Sequence, residues 1–131
     1  MADTGEIQDL TIGTIVLKWH PWVSWETVAK DARNSGGVSV PPDPGVYEVK
    51  HPNEETRLHI GKASDLRMRI KQGLVRGKVP HSTGKKLREN EDISRLLVRW
   101  APTDRPAAAE QELHKRHVER FGRLLIYTQH T

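Results

Sequence analysis

Among 131 residues there is no cysteine, and that absence removes disulfide frameworks, thiol nucleophiles and thiolate zinc sites together. Only histidines and carboxylates remain to hold a metal. Aromatic residues are scarce as well: two tyrosines, one phenylalanine and four tryptophans in a chain that is 35% hydrophobic. That material closes a lean core. No apolar run approaches the ~18 residues a membrane-spanning helix requires, so no membrane partner is expected. The stretch Met1 to Glu6 lacks the basic and apolar segments of a secretory signal, and the expected location is cytoplasmic. The length suits one domain of ordinary size and excludes a two-domain enzyme.

The net charge of +4 is small, but it is unevenly spread. From Arg57 to Arg88 there are ten basic residues and a single acid, Asp65. Residues 1–56 carry four bases and nine acids, and residues 89–131 carry seven of each. A strongly basic middle between an acidic and a neutral third points to a polyanionic partner for that segment. The alternative is a solvated helix face.

No internal repeat or low-complexity tract interrupts the chain. The clearest boundary is Gly36-Gly37 followed by Pro41-Pro42-Asp43-Pro44-Gly45, which cannot be helical. Before it, Ile12 to Trp19 reads as a strand, and Ser24 as the N-cap of a helix from Trp25 to about Asn34. Trp19, Trp22 and Trp25 crowd this segment and read as caps on a small core, with a DNA-stacking or dimer surface as the alternative. After the boundary, Val46 to Lys50 alternates as a strand, His51 to Glu55 turns the chain, and Thr56 to Ile60 returns, which makes a β-hairpin. Ser64 or Asp65 then caps a helix with Leu66, Ile70 and Leu74 on one side and Gly73 near its end. A basic helix is expected over His81 to Asn90 and a third strand over Arg95 to Trp100. The final helix has Asp104 as its N-cap, Pro106 in its first turn and Gly122 at its C-cap, and a short strand from Leu124 to Tyr127 follows.

One carboxylate on that last helix stands out. Glu110 lies about 60° from Leu113 and so inside the apolar arc of Ala109, His117 and Phe121, whereas Glu112 and Glu119 point to the far side. A carboxylate aimed inward is costly unless an arginine pairs with it or a metal binds it. His114 and His117 also stand at i and i+3, but no third ligand lies near them in the sequence, so no zinc site is expected.

The triplet Gly45-Val46-Tyr47, eleven intervening residues, His59-Ile60-Gly61 and the run Lys62-Ala63-Ser64-Asp65-Leu66-Arg67-Met68-Arg69-Ile70 together resemble the signature of the GIY-YIG endonucleases. The resemblance covers about residues 42–127. It implies that Tyr47 is the general base or orients the attacking water, that Arg69 is the catalytic arginine, and that Lys62 is the lysine common after the second triplet. Glu110 takes the place of the family's single metal-binding carboxylate, for Mg²⁺ or Mn²⁺. His59 stands where a second tyrosine is usual, and the asparagine usual near the C-terminus is missing, with Thr128 or Gln129 as possible substitutes.

The chemistry accords with these residue types. Tyr47 could accept a proton if Lys62 or Arg69 lowered its pKa, and His59 could be base or donor. Arg69 offers a planar bidentate fork to phosphate oxygens. Lys62, Arg67, Lys85 and Lys86 are the expected substrate-binding cations. The expectation is thus a small α+β domain over residues 42–131, a mostly antiparallel three-stranded sheet flanked by helices, behind a Trp-rich extension over residues 1–41. Its expected function is metal-dependent hydrolysis of DNA phosphodiesters. The rivals are a catalytically inactive nucleic-acid-binding module on the same scaffold and a protein-interaction subunit using the tryptophans. DNA specificity and oligomeric state are not written in the sequence.

Overall fold

A computed structural model describes residues 14–33, 36–123, 125 and 127. Its elements run β1 (Val23–Ser24), α1 (Trp25–Ala29), β2 (Gly45–Lys50), β3 (His59–Ala63), a π-helix (Met68–Val75), α2 (Ser82–Asn90), a 3-10 turn (Ile93–Arg95), β4 (Leu97–Pro102) and α3 (Pro106–Phe121). The fold is α+β: one antiparallel sheet in the order β1-β4-β2-β3, flanked by helices. There are four strands where three were expected. The extra one is the two-residue β1, which pairs Val23 with Val98 and Ser24 with Leu97.

The central strand β2 is paired on both edges and buried along its whole length. Its Tyr47 and Val49 join Trp25, Val28, Leu66, Ile70, Leu74 and Leu87 in the main core, beneath α1, the π-helix and α2. On the other face, Val46 packs with Ala101 and Ala109, and Ile15, Leu17, Trp19 and Leu113 close over them. The alternation that reads as half-exposed therefore ends in full burial. Glu48 is 3% exposed and lies on that second face, where Arg57 Nε reaches it at 2.9 Å and Arg99 at 2.7 Å. Two arginines on one buried carboxylate satisfy a charge that would be prohibitive alone. Arg99 is in turn held between the rings of Trp19 and Trp22, at 4.0 and 4.6 Å. Among the described residues before Pro41, Trp25, Val28 and Val40 are fully or almost fully buried in the same core as the rest.

Several elements differ from expectation in their limits. Thr14 to Trp19 alternates between exposed and half-buried but carries no strand, and Ile12 lies outside the described residues. Ser24 does cap α1, accepting the Thr27 N–H at 3.2 Å, but α1 stops at Ala29, where Lys30 turns to extended backbone and side chains satisfy the last carbonyls. Arg76 Nε donates to Ala29 O and Lys71 Nζ to Lys30 O, and Asn34 lies outside the described residues. The second hairpin strand is displaced to His59–Ala63, which puts Gly61 opposite Tyr47. β4 starts at Leu97 and ends on Pro102, a terminal position that proline tolerates.

The helix after the hairpin is a π-helix rather than an α-helix. Asp65 Oδ1 caps the Met68 N–H at 3.0 Å as expected, but Arg76 N donates five residues back to Lys71 O. Arg88 of α2 donates to Gly73 O and Leu74 O on this wider turn. For α3 the N-cap is Arg105 and not Asp104; Thr103 Oγ1 accepts the Arg105 N–H. Gly122 at its C-cap has φ +73, the left-handed conformation glycine adopts without penalty. Of the expected last strand, Leu124 and Ile126 lie outside the described residues; Leu125 and Tyr127 are not in a strand.

Candidate active site

Two histidines dock α3 along the edge strand. His117 Nε2 accepts the Arg57 N–H at 3.1 Å, and His114 Nε2 donates to Ile60 O at 3.2 Å. The helix therefore runs antiparallel to β3, and one more turn brings Glu110 toward its Gly61 and Lys62 end. At that end a cleft of about 560 Å³ is lined by Lys62, Asp65, Met68, Arg69, Val79 and Pro106.

Beneath the cleft lie Tyr47 and His59, both with no exposed surface. Gly61 makes room for them. A Cβ there would stand 2.5 Å from both Tyr47 Cζ and Oη and 2.8 Å from His59 Nε2. Tyr47 Oη lies 3.2 Å from His59 Nε2 and 2.8 Å from His81 Nε2. His59 Nδ1 donates to Tyr127 O at 3.1 Å.

Burial pushes Tyr47 up to about 12, while the Arg69 guanidinium, close enough to hydrogen-bond, pulls it down and the Glu110 charge pushes it up. The expectation that cations would lower this phenol is corrected. Arg69 acts in the expected direction, but desolvation outweighs it. Burial likewise drives His59 down to about 4 and His81 down to about 3, so both imidazoles are neutral at pH 7.

Tyr47, His59 and Arg69, carried by three different elements, are thus brought together, whereas Glu110 on α3 acts on Tyr47 through its charge and does not line the cleft. Of the four expected substrate-binding cations, only Lys62 lines the cleft with Arg69. Lys85 borders an adjoining hollow that shares Val79, and Lys86 is exposed on α2. Arg67 lines a different groove with Asp31, Lys71 and Arg76, and its Nε donates to Val40 O at 2.7 Å. The basic middle segment is therefore partly an internal device: Arg67, Lys71, Arg76 and Arg88 all donate to main-chain carbonyls.

The Glu110 side chain is half-buried and, among the described residues, makes no hydrogen bond or ion pair. That suits a hard divalent cation, which takes one or two carboxylates and completes its shell with water and phosphate oxygens. No group of three His, Asp or Glu side chains stands together among the described residues, so an ion held here would be mostly hydrated. His81 is the participant sequence reasoning missed. In the sequence it only starts a basic helix, 34 residues from the tyrosine whose hydroxyl it meets.

No family model matches the chain. Over 89 residues, 66% of its length, it is 37% identical to UvrABC system protein C of Koribacter versatilis (strain Ellin345), and it spans 14% of that protein. Among solved structures it is similar to the GIY-YIG N-terminal endonuclease domain of UvrC from Thermotoga maritima. With the magnesium-bound form it shares 20% identity at a TM-score of 0.41, over 68% of this chain and 86% of that one. With a point mutant bound to its catalytic divalent cation the figures are 20% and 0.41, over 69% and 87%. The resemblance to the GIY-YIG family rests on the sequence match together with the two triplets, and it supports a nuclease-like fold.

Proposed function

We propose that the chain is a metal-dependent endonuclease that hydrolyses DNA phosphodiester bonds in the cytoplasm. One observation supports the reading: Tyr47 meets His59 at 3.2 Å with the Arg69 guanidinium beside it, Arg69 lines the cleft with Lys62, and the charge of Glu110 on α3 acts on the Tyr47 hydroxyl. Arg69 offers its fork to the nonbridging oxygens, and Lys62 adds a point charge. Lys85, bordering the adjoining hollow, and Lys86, exposed on α2, extend the contacts to the DNA backbone, whereas Arg67 is turned to Val40 O in another groove. Glu110 would hold one Mg²⁺ or Mn²⁺, which would supply Lewis-acid charge to the scissile phosphate.

A free phenolate is not the base in this arrangement, because Tyr47 is held near 12. Its hydroxyl takes the proton of an attacking water only as it passes its own proton to His59 Nε2. Throughout, the His59 Nδ1–H stays on Tyr127 O. The departure from a second tyrosine thereby acquires a role: His59 receives the proton, and the negative charge of the bound phosphate offsets the burial that holds the free imidazole near 4.

A second reading, a nucleic-acid-binding module without catalysis, is favoured by the complete burial of Tyr47 and the imidazole on either side of its hydroxyl. Supercoiled, linear, single-stranded and branched DNA, each incubated with Mg²⁺, Mn²⁺ or EDTA, separate the two. Metal-dependent nicking abolished by EDTA supports the nuclease. Binding without cleavage of any form supports the module.

A further inference from the structure

Tyr47 Oη is the middle of a chain of hydrogen bonds whose two ends are main-chain groups, and those ends assign every proton in it. At one end the Gly84 N–H donates to His81 Nδ1 at 2.9 Å, so that nitrogen carries a lone pair and the single ring proton sits on Nε2. His81 Nε2 therefore donates to Tyr47 Oη at 2.8 Å. At the other end Tyr127 O can only accept, so His59 carries its proton on Nδ1 and presents a lone pair at Nε2. The Tyr47 hydroxyl, already receiving a hydrogen bond from His81, donates to that lone pair at 3.2 Å. The direction runs one way, from His81 through Tyr47 to His59.

We infer that His81 is a positioning residue of this site, fixing the direction of the Tyr47 proton through a tautomer that the α2 N-cap imposes. A buried hydroxyl needs one partner to be satisfied, whereas this one has its donor and acceptor directions both set by rings that the backbone has oriented. Two close approaches seat the ring. A Cβ on Gly73 would come within 3.2 Å of His81 Cδ2, and one on Gly84 within 2.9 Å of Leu74 O, so both glycines let α2 press its N-terminus against the π-helix. The cap also keeps His81 neutral, because a proton on Nδ1 would forfeit the Gly84 bond. With the His81 donor gone, Tyr47 Oη loses one of the two ring contacts that hold its position against His59, and its freed lone pair is open to the neighbouring Arg69 guanidinium instead.

The inference rests on the nuclease reading only for its activity arm, and two substitutions separate cap from donor. Asparagine is a strong N-cap whose side chain reaches about as far as His81 Nδ1, so His81→Asn keeps α2 capped and removes the donor to Tyr47. Glutamine places an amide N–H near the position of Nε2, so His81→Gln keeps the donor at the expense of the cap. In the full chain with labelled histidine, long-range ¹H–¹⁵N spectra at neutral pH should report the Nε2–H tautomer for His81 and the Nδ1–H tautomer for His59. His81→Asn should shift the Tyr47 Cζ resonance and slow nicking of supercoiled DNA by ~10²-fold at unchanged DNA affinity, the scale of a misplaced reacting group. His81→Gln should recover most of that rate despite a lower melting temperature. A His81 found as the Nδ1–H tautomer or doubly protonated overturns the inference, as does His81→Asn cleaving at the wild-type rate, or two variants whose rates follow their stabilities alone. If the wild type cleaves no DNA, the nuclease reading falls, and the tautomers alone decide the hydrogen-bond chain.

Discussion

Gly61→Ala puts a methyl group where the structure has least room. Its Cβ would lie 2.5 Å from Tyr47 Cζ and Oη and 2.8 Å from His59 Nε2, closer than real Cβ contacts come, so something must move. Neither neighbour is a flexible surface chain: Tyr47 and His59 are fully buried, and Tyr47 is tied to two imidazoles. Overpacking of this kind costs about 1–3 kcal/mol, and displacing the hydroxyl adds ~1 kcal/mol for each hydrogen bond broken. With one or both hydrogen bonds broken, the expected total of about 2–5 kcal/mol is a large share of a small domain's stability. Urea unfolding followed by tryptophan fluorescence should show a clearly lower midpoint at an unchanged slope. Gly122→Ala is the reference, since no atom lies within 4 Å of its Cβ and only the φ of +73 is penalised, at ~1 kcal/mol. Tyr47→Phe removes one of the clashing atoms, so the alanine should cost less in that background by ~1 kcal/mol. A Gly61→Ala protein within about 0.5 kcal/mol of wild type would refute the packing around Tyr47, since the ordinary scatter of surface substitutions is of that size.

Two further outcomes follow from the same geometry. His59 is held near 4 by burial against about 6.5 in an unfolded chain, so its contribution is fully present above pH 6.5 and is lost as pH falls toward 4, about 2 kcal/mol of it by pH 5. Denaturation at pH 7 and pH 5 should show that loss together with a similar one from His81, held near 3, and His59→Gln should remove about half of the total; an equal pH dependence in both proteins would contradict the neutral, buried imidazole. Lys85→Ala with Lys86→Ala, both exposed on α2, should weaken DNA association and flatten its dependence on log salt, by roughly one to two units of slope, while an unchanged slope would place this face away from the nucleic acid.

What was legible in the sequence was the part encoded locally. The hairpin, the Ser24 and Asp65 caps, Pro106 in the first turn of α3 and Gly122 at its end are each specified by neighbours within a few residues. The two-residue β1 was not legible, because it exists only through its pairing with β4, more than seventy residues away. Glu48 read as the polar side of a strand, and its burial depends on Arg57 and Arg99 arriving from two other strand regions. The site divides in the same manner. Tyr47, His59 and Arg69 lie on one continuous stretch with a recognisable spacing, and Glu110 was marked by its angle on the helix. The state of Tyr47 went against expectation because cations close in sequence suggested a lowered pKa, whereas burial by distant elements raises it. His81 left no periodic or spacing signal, since its meeting with Tyr47 depends on how α2 docks against the π-helix.

The central claim is that Glu110 serves hydrolysis at the cleft rather than the packing of α3. Glu110→Gln keeps size and removes the charge a hard cation needs, and the residue makes no ion pair among the described residues that would be broken. Single-turnover nicking of supercoiled DNA in Mg²⁺, measured beside DNA binding and urea stability for wild type and Glu110→Gln, tests it most directly. The account predicts wild-type nicking that needs the metal, and a variant that folds and binds DNA as well or better but cleaves at least ~10²-fold more slowly. A variant that nicks at the wild-type rate, or a wild type that nicks no DNA in any divalent metal, would contradict it.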